Sequence, residues 1–303
     1  MKSITVVCRN FLWSGQIHTS KAPLIAWEVV CQSKKEGGLG ITECIGWNEA
    51  AIAKYVWNVE NKTDNIWVKW VHQIYIKGAD WWQYQPQAES CWYWRKICSI
   101  KGKFAAGYSG NKWLHSNGEY TIQSGYRWKS GNGSQWPWWR DTWNKMNVPR
   151  HSFICWLAMH RRLLTRDRLA RMGVCQETEC LLCGCKPENI DHLFFECDYS
   201  KKCLEGVLEW MGLNIQRTNM EGIWSRLVRK EKGKISRALI RAIIAALIYH
   251  IWQARNGALW NKVVIRPTEI MKKIREESKG RCMSRIIAGI RCKDRKWIDN
   301  LYV

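Results

Sequence analysis

Apolar residues recur at helical spacing along most of the chain. Residues 48–59 and 65–76 each carry an apolar stripe, with Trp47, Trp57, Trp67 and Trp70 in or beside it, and predict two packed helices reaching about Lys77. Residues 150–173 read as two more, with Phe153, Trp156, Leu157, His160, Leu163 and Leu164 on one face. Thr165 is placed to cap the second of these and Gly173 to end it. The most apolar stretch, 235–252, contains Arg237, Arg241 and His250, so it reads as a buried helix and not as a membrane span. The last 80 or so residues are amphipathic, basic and helical, broken at Pro267. One strand signal interrupts this pattern: apolar runs flank Asn117-Gly118 within 113–122, which predicts a hairpin. The glycine cluster Glu36-Gly-Gly-Leu-Gly40 is a turn, and no Gly-Lys-Ser/Thr follows it to make a phosphate-cradling loop. The expected fold is mostly α, with helical segments, a small β-hairpin and one zinc-knuckle-like module.

Composition changes this picture in two respects. The 303 residues are 46% hydrophobic and 24% charged, which is ordinary for a globular chain. The net charge of +22 and the 22 tryptophans are not ordinary. The basic excess is concentrated in residues 226–303, where 20 basic side chains meet 6 acidic ones, a net of +14. Such an excess points to a polyanionic partner. The tryptophans are distributed the other way, with 17 between Trp13 and Trp156. In the nearly neutral first 80 residues they lack the interleaved cations of a base-stacking platform, so packing explains them better. The N-terminal apolar run, residues 4–8, is too short for a signal peptide, and no membrane partner is expected. The expectation is intracellular residence, in nucleus or cytoplasm, with the 14 cysteines mostly reduced and clustered ones available to metal.

The sharpest chemical signal is Cys180-Leu-Leu-Cys183-Gly184, followed by His192 and Cys197, a C-x2-C-x8-H-x4-C spacing. Two cysteines separated by two residues reach one metal from a single tight turn, and Gly184 lets the backbone curl around their sulfurs. A histidine and a cysteine from a second element complete an S₃N set suited to structural Zn²⁺, with no position left open for catalysis. On an ideal helix His192 and Cys197 point about 140° apart, so one of them must leave the regular helix. Buried thiols and a core histidine are the competing explanation, which four candidates at knuckle spacing make weaker. Cys175, Cys185 and Cys203 lie close enough in sequence to substitute as ligands.

Just upstream, Arg150, Arg161, Arg162, Arg166, Arg168 and Arg171 are accompanied by one acid, Asp167. Guanidinium groups suit phosphate recognition, although a charge run is often only a solvated helix face. Contact with about six phosphates gives a log–log salt slope near −4 on single strands and −5 on duplex. Catalytic patterns are poor: no Asp-Asp pair, no HExxH and no serine elbow occur. Cys155 and His160 fall on one helix, where core packing explains them better than a thiol–imidazole pair.

These landmarks together resemble the zinc-binding domain near the C-terminus of plant LINE-type (non-LTR) retrotransposon reverse transcriptases. The matching segments are Ser116-Asn-Gly-Glu-Tyr-Thr-Ile-Gln-Ser-Gly-Tyr126, Pro149-Arg-His-Ser-Phe-Ile-Cys-Trp-Leu-Ala158, Arg162-Leu-Leu-Thr-Arg-Asp-Arg-Leu169, Cys180-Leu-Leu-Cys183, Glu188 and His192-Leu-Phe-Phe-Glu-Cys197. Phe11-Leu-Trp-Ser-Gly15 and Glu36-Gly-Gly-Leu-Gly-Ile41 look like the region after the polymerase, and Ile248-Tyr-His-Ile-Trp-Gln-Ala-Arg-Asn256 like the helix after the zinc module. Where the family often has a tryptophan after the last ligand, this chain has Leu204. The resemblance implies Cys180, Cys183, His192 and Cys197 as zinc ligands. It also implies a helical segment over 1–110, the zinc domain over 111–215 and a basic helical region over 216–303. The polymerase fingers, palm and catalytic aspartates are missing from this stretch, so the expectation is a non-catalytic remnant of a polyprotein. Its expected role is to bind template RNA or target DNA, with the polymerase portion of the parent element as a second partner. The rival expectation is a structural or interaction module in which zinc only stabilises the fold.

Overall fold

The computed structural model describes residues 2–18, 22–108, 114, 118–213, 222–223, 233–285 and 292–302. They form two compact units, one of residues 1–33 and 38–134, the other of 34–37 and 135–303.

In the first unit the helices are α1 (Lys2–Ser14), α2 (Trp27–Cys31), α3 (Cys44–Glu60), α4 (Ile66–Val71), α5 (Trp92–Tyr108) and α6 (Ile122–Ser130), with a wider π-helical turn over His72–Ile76 after α4. Helix α3 is central, and α5 and α6 pack on it. Its buried face is Gly46, Glu49, Ala50, Ala53, Val56 and Val59. Small residues there let neighbouring helices approach closely, while Trp57 of α3 and Trp67 of α4 pack half-buried against the core. Trp47 is 39% and Trp70, on α4, 45% exposed, and the fully buried stripe of α3 runs through alanine and valine. Trp81 and Trp94 are the deeply buried ones, packed with Val56, Val59, Val71 and Ile97.

No β-strand occurs among the described residues, where the one bridge pairs Glu179 with Pro187, and the expected hairpin is therefore corrected. Residues 111–113 and 115–117, which include Asn117, lie outside the described residues. Beyond Gly118 the chain turns into the start of a helix. Thr121 accepts from the Ser124 amide (3.0 Å) while the Ser124 hydroxyl accepts from the Thr121 amide (3.1 Å), a reciprocal capping box. Tyr120 is buried against α3, its hydroxyl donating to the Ala50 carbonyl (2.7 Å). The run Tyr120-Thr-Ile122 thus nucleates and docks α6 and leaves no strand to pair.

The second unit contains α7 (Trp139–Thr142), α8 (Pro149–Met159), α9 (Arg166–Arg171), α10 (Asp198–Trp210), α11 (Lys234–Asn261), α12 (Pro267–Arg285) and α13 (Cys292–Tyr302). Helix α11 is the central element, packed by α7, α8, α10, α12 and α13. By length and composition it could cross a membrane, but most of its apolar window is buried within this unit. Pro267 opens α12 at a position where its missing N–H costs nothing. Beside α8, Trp156 Nε1 donates to the Gly37 carbonyl (2.7 Å), and His160 Nε2 reaches the same oxygen (2.8 Å) while its ring stacks on Trp136. Cys155 is fully buried, and its thiol is pushed up by burial, so it is a packed core residue.

Candidate metal centre

The knuckle starts from a pinned loop. The Cys180 amide donates to Lys186 O (2.8 Å) and the Glu188 amide to Thr178 O (2.7 Å), which closes the base of a turn over 180–186. Inside it the Gly184 amide donates to Cys180 O (2.7 Å), and Gly184 holds φ +67°, the left-handed region where a side chain is strained. This geometry turns the sulfurs of Cys180 and Cys183 toward one point.

The other two donors arrive on a π-helical turn, His192–Glu196, closed by the Cys197 amide donating to His192 O (2.7 Å). Asn189 starts the turn by accepting from the His192 amide (2.8 Å). Cys197 itself is extended (φ −66°, ψ 130°) and caps α10. The five-residue closure resolves the facing problem that an ideal helix poses, because Cys197 leaves the helix before α10 begins.

The four ligand atoms lie within 4.8 Å of one another. Cys180 Sγ is 3.8 Å from Cys197 Sγ, and Cys183 Sγ is 3.3 Å from His192 Nε2. A tetrahedral zinc centre has sulfur–sulfur edges of about 3.8 Å, whereas a disulfide needs about 2.0 Å. Cys180, His192 and Cys197 are buried, and Cys183 is half-buried. The Cys180–Cys197 hydrogen bond pulls the Cys197 thiol down and pushes the Cys180 thiol up. Backbone amides support the thiolates as well: those of Leu182 and Cys183 face Cys180, and those of Tyr199 and Ser200 face Cys197 at the start of α10. His192 Nδ1 is buried without a hydrogen-bond partner among the described residues. The donor set fits a closed, structural zinc site. Cys175, Cys185 and Cys203 are not part of this group: Cys185 turns to the Cys183 carbonyl, Cys175 lies beside Arg166 O, and Cys203 is buried along α10.

Sequence reasoning missed how the knuckle is fastened. Glu188 is wholly buried and accepts from the α9 amide of Arg166 (2.9 Å) and from Arg255 Nε of α11 (2.9 Å). It thus supplies the N-cap that Thr165 does not: the Thr165 hydroxyl donates to Asp167 instead (2.5 Å). Arg255, a charge inside an otherwise apolar part of its helix, was the available signal for this ion pair.

The six arginines divide by their surroundings. Arg150 pairs with Glu277 and lies over Tyr249. Arg161 makes two hydrogen bonds to Asp191 (2.7 and 3.2 Å), directly before His192. Arg166 holds Glu177 (2.5 Å) and the Glu179 carbonyl (3.0 Å) at the entrance to the knuckle. Arg171 pairs with Asp167 one turn back (2.8 Å). Arg162 is exposed and has no ion pair among the described residues. Arg168 is pushed down by burial and by the neighbouring charges of Arg162 and Arg171, with Asp167 beside them acting the other way.

Residues 120–203 match the family model for the zinc-binding domain in reverse transcriptase. The chain is also similar to two proteins of Arabidopsis thaliana. One is a putative ribonuclease H protein, 28% identical over 139 residues, which are 45% of this chain and 19% of the relative. The other is an uncharacterized mitochondrial protein, 26% identical over 98 residues, 32% of this chain and 63% of the relative. The chain therefore spans less than two thirds of either relative. No solved structure matches it. The resemblance read from the sequence is confirmed over the zinc-binding region, and with it the zinc.

Proposed function

We propose that this chain is a non-catalytic, zinc-organised nucleic-acid-binding part of a non-LTR retrotransposon reverse transcriptase, and that it holds template RNA or target DNA beside the polymerase. Cys180, Cys183, His192 and Cys197 would hold one zinc ion, which would fix the 178–197 loop as a rigid unit. The observation that carries the reading is the group of Arg162, Arg168 and Arg171 around the single Asp167, on the segment fastened to that loop. Three guanidinium groups around one carboxylate leave a net positive charge, which the oxygens of a phosphate backbone offset. Arg161 and Arg166 then act as positioning residues for the knuckle. Exposed Lys272, Lys273 and Lys279 of α12 and Arg295 and Lys296 of α13 would add sequence-independent affinity.

The test is binding of single-stranded RNA and duplex DNA across a salt series by the zinc-loaded chain. Replacing Arg162, Arg168 and Arg171 with Ala is expected to weaken binding and to reduce the salt slope by about 2 on single strands and about 3 on duplex. Chelation is expected to weaken wild-type binding too. Unchanged affinity and slope in the triple variant would overturn the reading. A purely structural role is favoured by a different observation, the Arg161–Asp191 and Arg166–Glu177 pairs that spend two cations inside the protein. That reading predicts zinc without nucleic-acid binding at any salt.

A further inference from the structure

A second group of metal donors lies away from the knuckle, where α8, α11 and α12 meet. His151, His250 and Glu277 place their ligand atoms within 4.8 Å of one another. Glu277 Oε2 is 3.2 Å from His151 Nε2 and 3.0 Å from His250 Nε2. These separations approach the edges of about 3.3 Å in a tetrahedron of nitrogen and oxygen ligands at zinc. Each donor comes from a different helix.

We propose that His151, His250 and Glu277 form a second divalent-metal site, of zinc-like preference, which staples these three helices together. Two neutral imidazoles and one carboxylate are the donor set that zinc accepts at three-ligand sites.

Three features support the assignment. His151 is 1% exposed, and its Nε2 lies 3.2 Å from Glu277 Oε2, the same oxygen that His250 Nε2 meets at 3.0 Å. Two ring nitrogens and a carboxylate oxygen that converge in a largely buried place are the arrangement a divalent cation requires. Arg150 takes Glu277 Oε1, which leaves Oε2 turned to the histidines and fixes the carboxylate in the way outer partners orient metal ligands. A small cavity touches His151 and Glu277, lined otherwise by Ser278, Arg281 and apolar side chains, with room for about one water. It has no room for a substrate, so the site is structural. The nearby positive charges are already engaged: Arg150 by Glu277, and Arg281 by the main-chain oxygens of Met146 (3.3 Å) and Asn147 (2.7 Å).

Cobalt(II) titration of the full chain, stripped of metal under reducing conditions, tests the proposal. Cobalt on thiolates gives intense charge-transfer absorption, whereas cobalt on nitrogen and oxygen gives only weak visible bands. Two equivalents are expected to bind, with charge transfer saturating after one. His250→Ala and Glu277→Gln are each expected to bind one equivalent, with the charge-transfer band unchanged. Glu277→Gln preserves shape, and its far-UV circular dichroism verifies the fold. A single equivalent in the wild type, or two equivalents in a folded Glu277→Gln chain, would overturn the assignment. Failure of the Cys-His centre would be seen separately, as loss of charge transfer.

Discussion

Gly184 shows how much one residue decides at the metal centre. A Cβ there would meet nothing within 4 Å, so space is not the constraint; the constraint is its φ of +67°. An L-residue in that conformation costs about 1–2 kcal/mol. Gly184→Ala is therefore expected to weaken zinc affinity by about one order of magnitude, measured by competition with a chromophoric chelator, while α8 and α11 keep their helicity. An affinity equal to wild type would mean that the turn tolerates a side chain. His192 and Cys197 make the complementary point, since their meeting depends on a π-helical closure that no side chain in the spacing announces.

Among the elements, the start of a helix is where local and distant groups compete. For α6 the cap is local, Thr121 with Ser124. Thr121→Ala should cost about 1 kcal/mol, seen as a lower urea midpoint for unfolding of the first unit. No change would place the stability of α6 in the Tyr120–Ala50 contact alone. For α9 and α11 the caps are remote. Glu188 accepts from Arg166 across 22 residues, and Asp294 of α13 accepts from the Ser236 amide of α11 (3.0 Å) across 58. Thr165 has the right chemistry and position for a cap, yet Glu188, already placed by Arg255, takes the first amides: its carboxylate accepts from Arg166 and its main-chain oxygen from Asp167 (3.1 Å).

At the scale of the molecule, the second unit is organised around charges buried in an apolar core. Glu188 and Arg255 tie the knuckle to α11, both nearly or fully buried. Removing one member of such a pair leaves an uncompensated charge and costs about 3–5 kcal/mol. Glu188→Gln should thus unfold the second unit at markedly lower urea and release zinc with it. Arg161→Ala, which breaks an exposed pair, should cost less than about 1 kcal/mol. Equal effects from the two variants would show that the buried pair does not organise the unit.

Periodicity, spacing and charge are local properties, and they determined the helices around α3, α8 and α11, the four residues gathered at the metal centre and the basic character of the C-terminal region. Each rests on residues a few positions apart, where 3.6-residue periodicity and ligand spacing act directly. Tertiary structure decided the rest. It put alanine and valine on the fully buried stripe of α3. It turned the run after Gly118 into the capped start of α6. It drew Arg150, Arg161, Arg166 and Arg171 into ion pairs while leaving Arg162 without one among the described residues, and it joined Glu188 to Arg255 and His151 to His250 and Glu277. Apart from Arg171–Asp167, those pairings link residues from 11 to more than 100 positions apart. The physical reason is that a buried polar group must find whichever partner packing brings within about 3 Å, and sequence separation has no bearing on that.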